Sequence, residues 1–404
     1  MAVDTLYFSR DSKMYIEIGS NVWEIPVLDG FSFSQANNST EVTLSEMEDS
    51  AGTSKRGRKV FNDSLAPVEW SFSTYARPFL SEGGNTSGNA EKDGTDKHHA
   101  VEEILWALMA GPATYTAPGS SQATALSGLT FSATASPNTT AGTGLSALSF
   151  SGSNKATLGT CNIYFSLDDG GSDPVVYKLD EAVVNEASVD FDVDGIATIA
   201  WSGFGKTLTE ASKPTRTVFE AIGASNNFIR NRLTQLAITA NDDTTFPGSG
   251  SGVYTLTLTG GNITISNNIS FLTPETLGTV NLPIGHVTGA RSVSGSFSCY
   301  LGLDSGTNTG TSTDFFNDLT TQAARNKIVN SFNLTFKLGG VGDAAAFTND
   351  QGPRYQFNFP TAHFEIPAHS VEDVISIETT FQALPSTIGE TNEVNVKFAG
   401  VNPA

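Results

Sequence analysis

Apolar and polar residues alternate in short runs along most of the chain, which is the pattern of half-buried β-strands. One such run is WSFSTY, Trp70 to Tyr75, and another is GSFSCY, Gly295 to Tyr300. Four of the six residues are identical and stand in the same order. Because the chain has no short-period repeat, the second copy predicts that a larger unit is duplicated.

Four further pairs of segments occur in the same order around these two strands, each pair with a similar apolar pattern. They are VWEIPVLDG (22–30) and VYTLTLTGG (253–261), AVEEILWALMAG (100–111) and STDFFNDL (312–319), NIYFSLDDG (162–170) and NLTFKLGG (333–340), and DGIATIAWSGF (194–204) and EDVISIETTF (372–381). We therefore predict two tandem domains, at 1–215 and 225–404. The polar segment near 209–227, which contains Pro214, would join them.

The second of these pairs predicts one short helix in each domain. The residues expected on the buried helix faces are Val101, Ile104, Leu105 and Leu108 in the first domain and Phe315, Phe316 and Leu319 in the second. Asp96 is the predicted cap of the first helix, and Ser312 or Thr313 that of the second. About forty residues, roughly 112–158, occur in the first copy only. They are rich in Ser, Thr, Ala and Gly, which predicts a surface hairpin or a small decorating flap.

Composition supports a mainly β fold and narrows the possible partners. Only 16% of the residues are charged, Gly is frequent at 39 residues, and the formal net charge is −20. Gripping nucleic acid needs clustered Lys and Arg, so a phosphate-binding surface is not expected. An acidic surface would instead repel the DNA backbone and let DNA pass without adhering.

The same survey predicts a protein made in the cytoplasm, with two free thiols and no membrane contact. The first residues contain both acid and base without an apolar core, so no signal peptide is expected. No apolar stretch is long enough to span a bilayer. Cys161 and Cys299 form neither a disulfide framework nor a metal spacing.

Three short motifs resemble binding sites for phosphate or metal ions, but each is better interpreted as an ordinary strand, turn or helix start. AWSGFGKT (200–207) resembles a phosphate-binding loop but lacks the parallel-strand context that such a loop needs. DFDVDG (190–195) begins like a calcium loop, but Trp201 stands where the final acidic ligand belongs. His98 and His99 lie side by side without a third ligand, which favours a solvated helix start. The sequence therefore predicts no catalytic site, no cofactor and no metal, and the protein is not expected to be an enzyme.

One local charge cluster stands out in this acidic chain. The segment KRGRK contains Lys55, Arg56, Arg58 and Lys59, out of only 22 Lys and Arg in all. It lies in a long polar loop and follows the acidic residues Glu46, Glu48 and Asp49. One reading is a mobile, solvated loop. The other is an electrostatic contact with an acidic neighbour, for which another copy of this chain is the first candidate.

The stretch from VWEIPVLDG through KRGRK to WSFSTYARP resembles the N-terminal half of bacteriophage tail tube proteins. YQFNFPTAHFEIPAHSVEDVISIETTFQAL (355–384) is similar to their closing pair of strands. The resemblance implies a mainly β fold with two tandem β-sandwich or barrel domains, each with one short flanking helix. It also implies stacked rings that form a hollow tube, and a homotrimer with two domains per chain in place of a hexamer. The insert at 112–158 departs from the family pattern.

The resemblance further implies a function, partners and a location in the virion tail. DNA and the tape measure protein would pass through the tube without sequence-specific binding, and terminator and distal tail proteins would contact its ends. The family's long early loop reaches the next ring, which assigns the inter-ring contact to Lys55, Arg56, Arg58, Lys59, Glu46, Glu48 and Asp49 within residues 36–66. The alternatives are another structural β-protein, such as a capsid decoration or adhesin, and a carbohydrate-active β-enzyme. The enzyme would need a cleft with paired carboxylates and exposed Trp.

Overall fold

In the computed structural model, antiparallel strands dominate the chain, and nineteen of them are linked by hydrogen bonds into one sheet. This confirms the mainly β fold. The structure describes residues 9–42, 59–82, 84, 89–92, 95–110, 158–167, 174–241, 253–274, 276–277, 280–302, 310–323, 332–340, 352–371, 374–390 and 392–401, together with the backbone of four short strands between 115 and 149.

Strands occur throughout the described ranges, whereas the helices are short. The strands before the middle of the chain are β1 (Lys13–Ile18), β2 (Asn21–Ile25), β3 (Ser32–Val42), β4 (Lys59–Tyr75), β5 (Pro78–Glu82), β6 (Thr95–Ala100), β7 (Tyr115–Thr116), β8 (Ala123–Thr124), β9 (Phe131–Ala133), β10 (Ser146–Ser149), β11 (Cys161–Leu167), β12 (Val175–Asp192), β13 (Thr198–Gly205) and β14 (Thr207–Glu210). The later strands are β15 (Gln235–Ala240), β16 (Val253–Leu256), β17 (Leu258–Ser266), β18 (Ile269–Leu272), β19 (Gly285–Thr288), β20 (Ser292–Tyr300), β21 (Phe332–Gly339), β22 (Arg354–Phe364), β23 (Ala368–Val371), β24 (Ile375–Ala383) and β25 (Asn395–Ala399). The helices are α1 (Glu103–Ala110) and α2 (Ser312–Ala323), with short 3₁₀ turns at Ser9–Asp11, Ala90–Lys92 and Asn231–Leu233.

The strands pair in the same order in the two halves of the chain. In the first half the order is β2-β1-β11-β12-β13-β4-β3, with β14 beside the first part of β12. In the second half it is β16-β15-β21-β22-β24-β20-β17, with β25 beside the first part of β22. The matched sequence segments therefore occupy corresponding places in the sheet.

A pair of contacts between an aromatic ring and a glycine recurs in the two halves with the strands exchanged. In the first half Trp70 of β4 lies opposite Gly203 of β13, and in the second half Gly295 of β20 lies opposite Phe381 of β24. A Cβ on Gly203 would lie 2.5 Å from the Trp70 ring and 2.0 Å from the carbonyl oxygen of Val183. A Cβ on Gly295 would lie 2.7 Å from the Phe381 ring. Each ring needs a glycine across from it.

We expect Gly203→Ala and Gly295→Ala each to lower the free energy of unfolding by about 3 kcal/mol, because the new methyl group overlaps backbone and ring atoms in a closed space. Urea unfolding would measure the effect. Gly223→Ala is the matched control, since nothing lies within 4 Å of a Cβ there, and we expect it to change stability by less than about 1 kcal/mol. Equal stability of all three variants would contradict this account of the two contacts.

Helix α1 is buried along its whole length, which the sequence did not indicate. The ring of Trp106 packs 4.8 Å from the ring of Trp201 in the first half and 5.8 Å from the ring of Phe357 in the second half. The prediction of one buried face was therefore wrong, because the helix is enclosed between the two halves and every side chain from Glu103 to Ala110 is buried. The predicted cap Asp96 lies in strand β6 rather than at the helix start.

Helix α2 keeps a partly exposed side, as its amphipathic pattern predicts. Phe315 and Leu319 are buried as predicted, whereas Phe316, which was also expected on the buried face, is only partly buried. The cap is Thr311, one residue before the predicted Ser312: its hydroxyl accepts from the Asp314 amide at 3.3 Å, and its own amide donates to the Asp314 carboxylate at 3.0 Å. This reciprocal pair is a capping box.

Part of the insert joins the sheet. Strands β9 and β10 pair as a hairpin, and β10 adds to β25 near the end of the chain. A strand from between the matched elements of the first half thus extends the sheet of the second half. Most residues between 111 and 157 lie outside the described part of the chain.

Candidate assembly surfaces

The two halves are joined by a continuous strand pairing. Strand β12 pairs first with β11, and its last part lies between β13 and β17. Seven residue pairs connect β12 to β17, from Glu186 opposite Ser266 to Asp192 opposite Gly260. We call this pairing the internal seam. It makes one sheet of the two halves.

Two strand edges that correspond to the internal seam have no strand beside them in the described part of the chain. Strand β3 pairs with β4 only, and β23 pairs with β24 only. We call their outer sides the β3 edge and the β23 edge. An exposed edge presents unpaired backbone N–H and C=O groups, which is a template for pairing with another chain.

The β23 edge corresponds to the part of β12 that forms the internal seam. Ser376 lies opposite Tyr300 of the second SFSxY strand, as Thr198 lies opposite Tyr75 of the first. Across the next pairing, Ser370 of β23 lies opposite Ser376, and Asp190 of β12 lies opposite Thr198. Ser370 and Asp190 therefore hold equivalent positions.

The β3 edge corresponds to the other strand of the internal seam. Phe33 of β3 lies opposite Trp70, and Ile263 of β17 lies opposite Gly295. Trp70 and Gly295 are the first residues of the two SFSxY strands, so Phe33 and Ile263 hold equivalent positions. Ile263 is fully buried in the seam, whereas Phe33 is partly exposed.

One face of this sheet is lined by small polar residues and carboxylates. Cross-strand partners share a face, and the pairing registers place these residues together: Ser32, Ser34, Glu69, Ser71, Ser73, Ser202, Glu186, Ser188, Asp190, Asn262, Thr264, Ser294, Ser296, Ser298, Glu378 and Thr380. We call this set the polar face. It holds four carboxylates and no Lys or Arg. The opposite face is apolar and forms the core.

The sheet has two chemically different ends. The β3–β4 hairpin and the segment from β18 to β19 extend from the same end, and the Leu65 amide donates to the Asn281 carbonyl at 2.9 Å between them. We call this the arm end. At the other end of the same strands lie the turn that follows β12 and the start of β24, which we call the turn end. Asp190, Asp192 and Asp194 are exposed there.

The predicted inter-ring residues lie almost entirely outside the described part of the chain. Glu46, Glu48, Asp49, Lys55, Arg56 and Arg58 belong to residues 43–58, which connect β3 to β4 at the arm end. Lys59 is described, at the start of β4, with its Nζ 5.0 Å from the centroid of the Phe61 ring. Their role stays a prediction.

A buried polar cluster fixes the two halves against the segment between them. The Glu102 carboxylate accepts from the backbone amide of Arg77 at 3.1 Å and from the hydroxyl of Tyr355 in the second half. The Arg77 guanidinium donates to carbonyl oxygens of the connecting segment, including that of Ala224 at 3.0 Å, and lies over the Phe228 ring. Burial raises the pKa of Glu102 above its usual 4.5 to about 7. The cluster therefore ties three parts of the chain together.

This pKa predicts a pH-dependent contribution to stability. A carboxyl whose folded-state pKa is raised favours the folded state fully below pH 4.5 and loses that contribution as the pH rises through about 7. We expect the unfolding free energy of the Glu102→Gln variant, relative to the wild type, to rise by about 3 kcal/mol between pH 4 and pH 8. Urea unfolding across this range measures the difference. Parallel profiles for the two proteins would contradict the buried, ionisable role of Glu102.

The remaining candidate motifs are structural. His98 and His99 are buried in strand β6, so the predicted solvated helix start was wrong: His98 Nδ1 accepts from the Gly400 amide at 3.1 Å, and His99 Nδ1 lies 3.0 Å from the Glu103 carboxylate. Cys161 and Cys299 are free cysteines, as predicted, and both are buried. The described residues contain no group of three His, Cys, Asp or Glu side chains placed to hold a metal.

No helix in the described ranges is long and apolar enough to cross a bilayer.

Comparison with known proteins assigns the family. No protein-family model matches the chain. Over 388 residues, which cover 94% of this chain and 72% of the relative, it is 30% identical to Tail tube protein pb6 of Escherichia phage T5. The chain therefore belongs to the tail tube proteins of bacteriophages, as the sequence resemblance predicted.

Proposed function

We propose that this protein is a structural protein of the virion tail whose copies assemble through the β3 and β23 edges into rings that stack into a tail tube. The observation that carries the proposal is the internal seam, because each of its two strands has an equivalent strand whose outer edge has no strand beside it in the described part of the chain. A surface that is complementary to a different surface of the same molecule gives head-to-tail assembly, which closes into a ring when the rotation permits.

The internal seam supplies the register of the proposed contact. Asp190 lies opposite Asn262 in the seam, and the equivalent positions are Ser370 and Ser32. Phe191 lies opposite Gly261, and the equivalent positions are Val371 and Phe31. Ser370 of one copy would therefore lie opposite Ser32 of the next, and Val371 opposite Phe31. Val371 is 76% exposed in the single chain, and pairing would cover it.

We infer two equivalent domains per chain, at 1–215 and 225–404, and three chains per ring. The strands pair in the same order in the two halves, and the halves join through the internal seam. Each half would therefore supply one of the six similar units, here called wedges, that make up a ring. The partly exposed side of α2 supports this arrangement, because its counterpart α1 is enclosed by the neighbouring half. Fusing two wedges also lowers the entropy lost on assembly, since three bodies are ordered instead of six.

The polar face is the proposed wall of the channel. Its carboxylates repel phosphate, and the residues of the polar face include no Lys or Arg that would hold DNA by counterion release. DNA and the tape measure protein would pass along it without sequence-specific binding. Terminator and distal tail proteins would contact the ends of the finished tube, and copies would be synthesised in the host cytoplasm before assembly.

Stacking of rings is proposed to use the basic segment at the arm end. Lys59 and the neighbouring residues Lys55, Arg56 and Arg58 would meet the turn end of the adjacent ring. Asp190, Asp192 and Asp194 are exposed there and provide opposite charge. Glu46, Glu48 and Asp49 would take part in the same contact.

Negative-stain electron microscopy of the purified protein tests the proposal. We expect rings or tubes whose formation depends on protein concentration. Isolated particles at every concentration would contradict it and would favour the alternative of a decoration protein or adhesin.

A further inference from the structure

The last part of the connecting segment pairs with the turn end of the first half. An isolated antiparallel bridge joins Ile196 to Arg230. Beside this bridge, the Ala197 amide donates to the Ile229 carbonyl at 2.9 Å. Ala197 is fully buried. The chain that leads into the second half therefore covers one end of the first half.

An aromatic contact completes this cover. The Phe228 ring packs edge-on against the ring of Tyr75, the last residue of the first SFSxY strand, with the two centroids 5.3 Å apart. The Arg77 guanidinium lies 4.5 Å from the centroid of the Phe228 ring. The residues that cover the first half are thus 228–230, which precede the 3₁₀ turn Asn231–Leu233.

The second half has an equivalent surface at its own turn end. The residues equivalent to Tyr75, Ile196 and Ala197 are, in that order, Tyr300, Val374 and Ile375. The Leu301 amide donates to the Ile375 carbonyl at 2.9 Å, and the equivalent hydrogen bond is present in the first half. We call Tyr300, Val374 and Ile375 the apolar patch.

The apolar patch is exposed, whereas its counterpart is covered. Tyr300 is 47% exposed, Val374 59% and Ile375 40%. Among the described residues, no bridge to Val374 corresponds to the one between Ile196 and Arg230. A contiguous group of exposed apolar side chains indicates a contact site. The first half shows which kind of segment fits there.

The first half is entered through a turn like the one that precedes the second half. A 3₁₀ turn, Ser9–Asp11, stands before β1, as Asn231–Leu233 stands before β15. The Ser12 amide donates to the Ser9 carbonyl, and the Thr234 amide donates to the Asn231 carbonyl in the same way. The two turns are therefore equivalent.

This equivalence assigns a counterpart to residues 228–230. The same spacing of 222 positions separates Ser9 from Asn231 and Ile16 of β1 from Ile238 of β15. By that spacing, the counterparts of Phe228, Ile229 and Arg230 are Leu6, Tyr7 and Phe8. All three are apolar or aromatic, and they lie outside the described part of the chain.

We propose that residues 6–8 of one copy pair with the apolar patch of the neighbouring copy in the ring, as residues 228–230 pair with the first half within one chain. This inference rests on the proposed function and gives the ring a contact in addition to its two strand edges. Phe8 would lie beside Val374, and Leu6 would pack on Tyr300. The contact would cover the exposed apolar patch.

The arrangement of the internal seam identifies the neighbouring copy as the source of the segment. Within the chain, the segment that leads into the half carrying β17 covers the half carrying β12. The β3 edge of one copy is proposed to take the place of β17, and the β23 edge of its neighbour the place of the last part of β12. The segment that leads into the half carrying β3 is residues 1–8, so it would cover the half carrying β23.

A cysteine pair across the proposed contact tests this inference. Hydrogen bonds flank the bridge between Ile196 and Arg230 on both sides, so the two residues form a non-hydrogen-bonded pair, whose Cα atoms are about 4.5 Å apart. A disulfide fits this separation. Val374→Cys and Phe8→Cys occupy the equivalent positions. The native cysteines are buried and do not compete.

The two substitutions are made in separate proteins, one of which carries an affinity tag. The proteins are mixed under ring-forming conditions with oxidised glutathione and separated on a non-reducing gel. We expect a disulfide-linked dimer that contains one chain of each kind. Ile388→Cys replaces Val374→Cys in the control, because Ile388 is fully exposed and lies away from the apolar patch. We expect at least tenfold less mixed dimer from the control.

A second variant tests the energetic contribution of the contact. Leu6→Ser with Phe8→Ser should raise the protein concentration needed for ring formation about tenfold or more, because the apolar patch would stay exposed to water. The melting profile of the single chain should not change. Analytical ultracentrifugation measures the association, and an unchanged association would contradict the inference.

The outcomes separate this inference from the proposed function. Failure of the wild type to form rings would overturn the proposed function. Rings without the mixed dimer would overturn the N-terminal contact alone. Placing both cysteines in one chain should link the chains of a ring to one another; a disulfide closed within a single chain would show that the segment covers its own copy and would also overturn the inference. A cysteine variant that forms no rings is replaced by the pair Leu6→Cys and Tyr300→Cys, with the same expected result.

Discussion

Val371→Glu is expected to leave the chain folded and monomeric and to abolish ring formation. Val371 is 76% exposed in the single chain, so a carboxylate there costs little in the monomer. In the proposed contact the same position is covered by Phe31 of the next copy, as Phe191 is buried opposite Gly261 in the internal seam. An unpaired charge buried at an interface costs several kcal/mol, and we expect ring association to weaken by about a thousandfold.

Analytical ultracentrifugation across a range of concentrations would measure this loss. Ile388→Glu is the matched control, because Ile388 is fully exposed on a turn after β24 and belongs to neither edge. We expect that variant to form rings like the wild type. Normal rings from Val371→Glu, with an unchanged melting profile, would show that the β23 edge is not the ring contact.

Reversing the charge of the basic segment should abolish the stacking of rings and leave ring formation intact. Replacing Lys55, Arg56, Arg58 and Lys59 by Glu would place like charges against the aspartates of the turn end. We expect intact single rings that do not form tubes, because the substitutions change none of the residues in the proposed register of the β3 and β23 edges. Replacing the same four residues by Gln should weaken stacking less than the reversal does, since attraction is lost without added repulsion.

Two further measurements test whether charge attraction is the cause of stacking: its dependence on ionic strength, and a variant that restores opposite charges. Wild-type stacking should weaken as ionic strength rises, because exposed charge pairs are screened. Asp192→Lys with Asp194→Lys, added to the reversed protein, should restore part of the tube length. Tubes of normal length from the reversed protein would contradict the charge-mediated contact.

The duplicated strand order was predictable from the sequence because each matched segment carries its own alternating pattern. WSFSTY and GSFSCY occupy corresponding places in the two halves, and so do the flanking segments. The exchange of Trp70 and Gly203 for Gly295 and Phe381 was not predictable. In the second half the aromatic residue lies on the neighbouring strand. An alignment of the two halves therefore matches Trp70 with Gly295 and Gly203 with Phe381, and hides the shared contact.

The predictions that were wrong concern residues whose burial depends on contacts between distant parts of the chain. Helix α1 has a pattern that suits one buried face, yet Phe357 covers its other side from 251 positions further along the chain. His98 is buried and accepts a hydrogen bond from the amide of Gly400, 302 positions further along the chain. The strand edges were also invisible in the sequence, since a residue pattern shows which face of a strand is buried and not which side is paired. The seam between β12 and β17 is the observation from which we infer what those edges pair with.

The symmetry of a tube reconstruction tests the central claim most directly. Three chains should form each ring, with true threefold symmetry, and the strands at Trp70–Tyr75 and Gly295–Tyr300 should be related by a rotation of about 60° around the tube axis. Residues 112–158, which only the first half contains, should appear on alternate wedges. A ring of six chains, with the two halves of each chain stacked radially or axially, would contradict the proposed equivalence of the internal seam and the contact between copies.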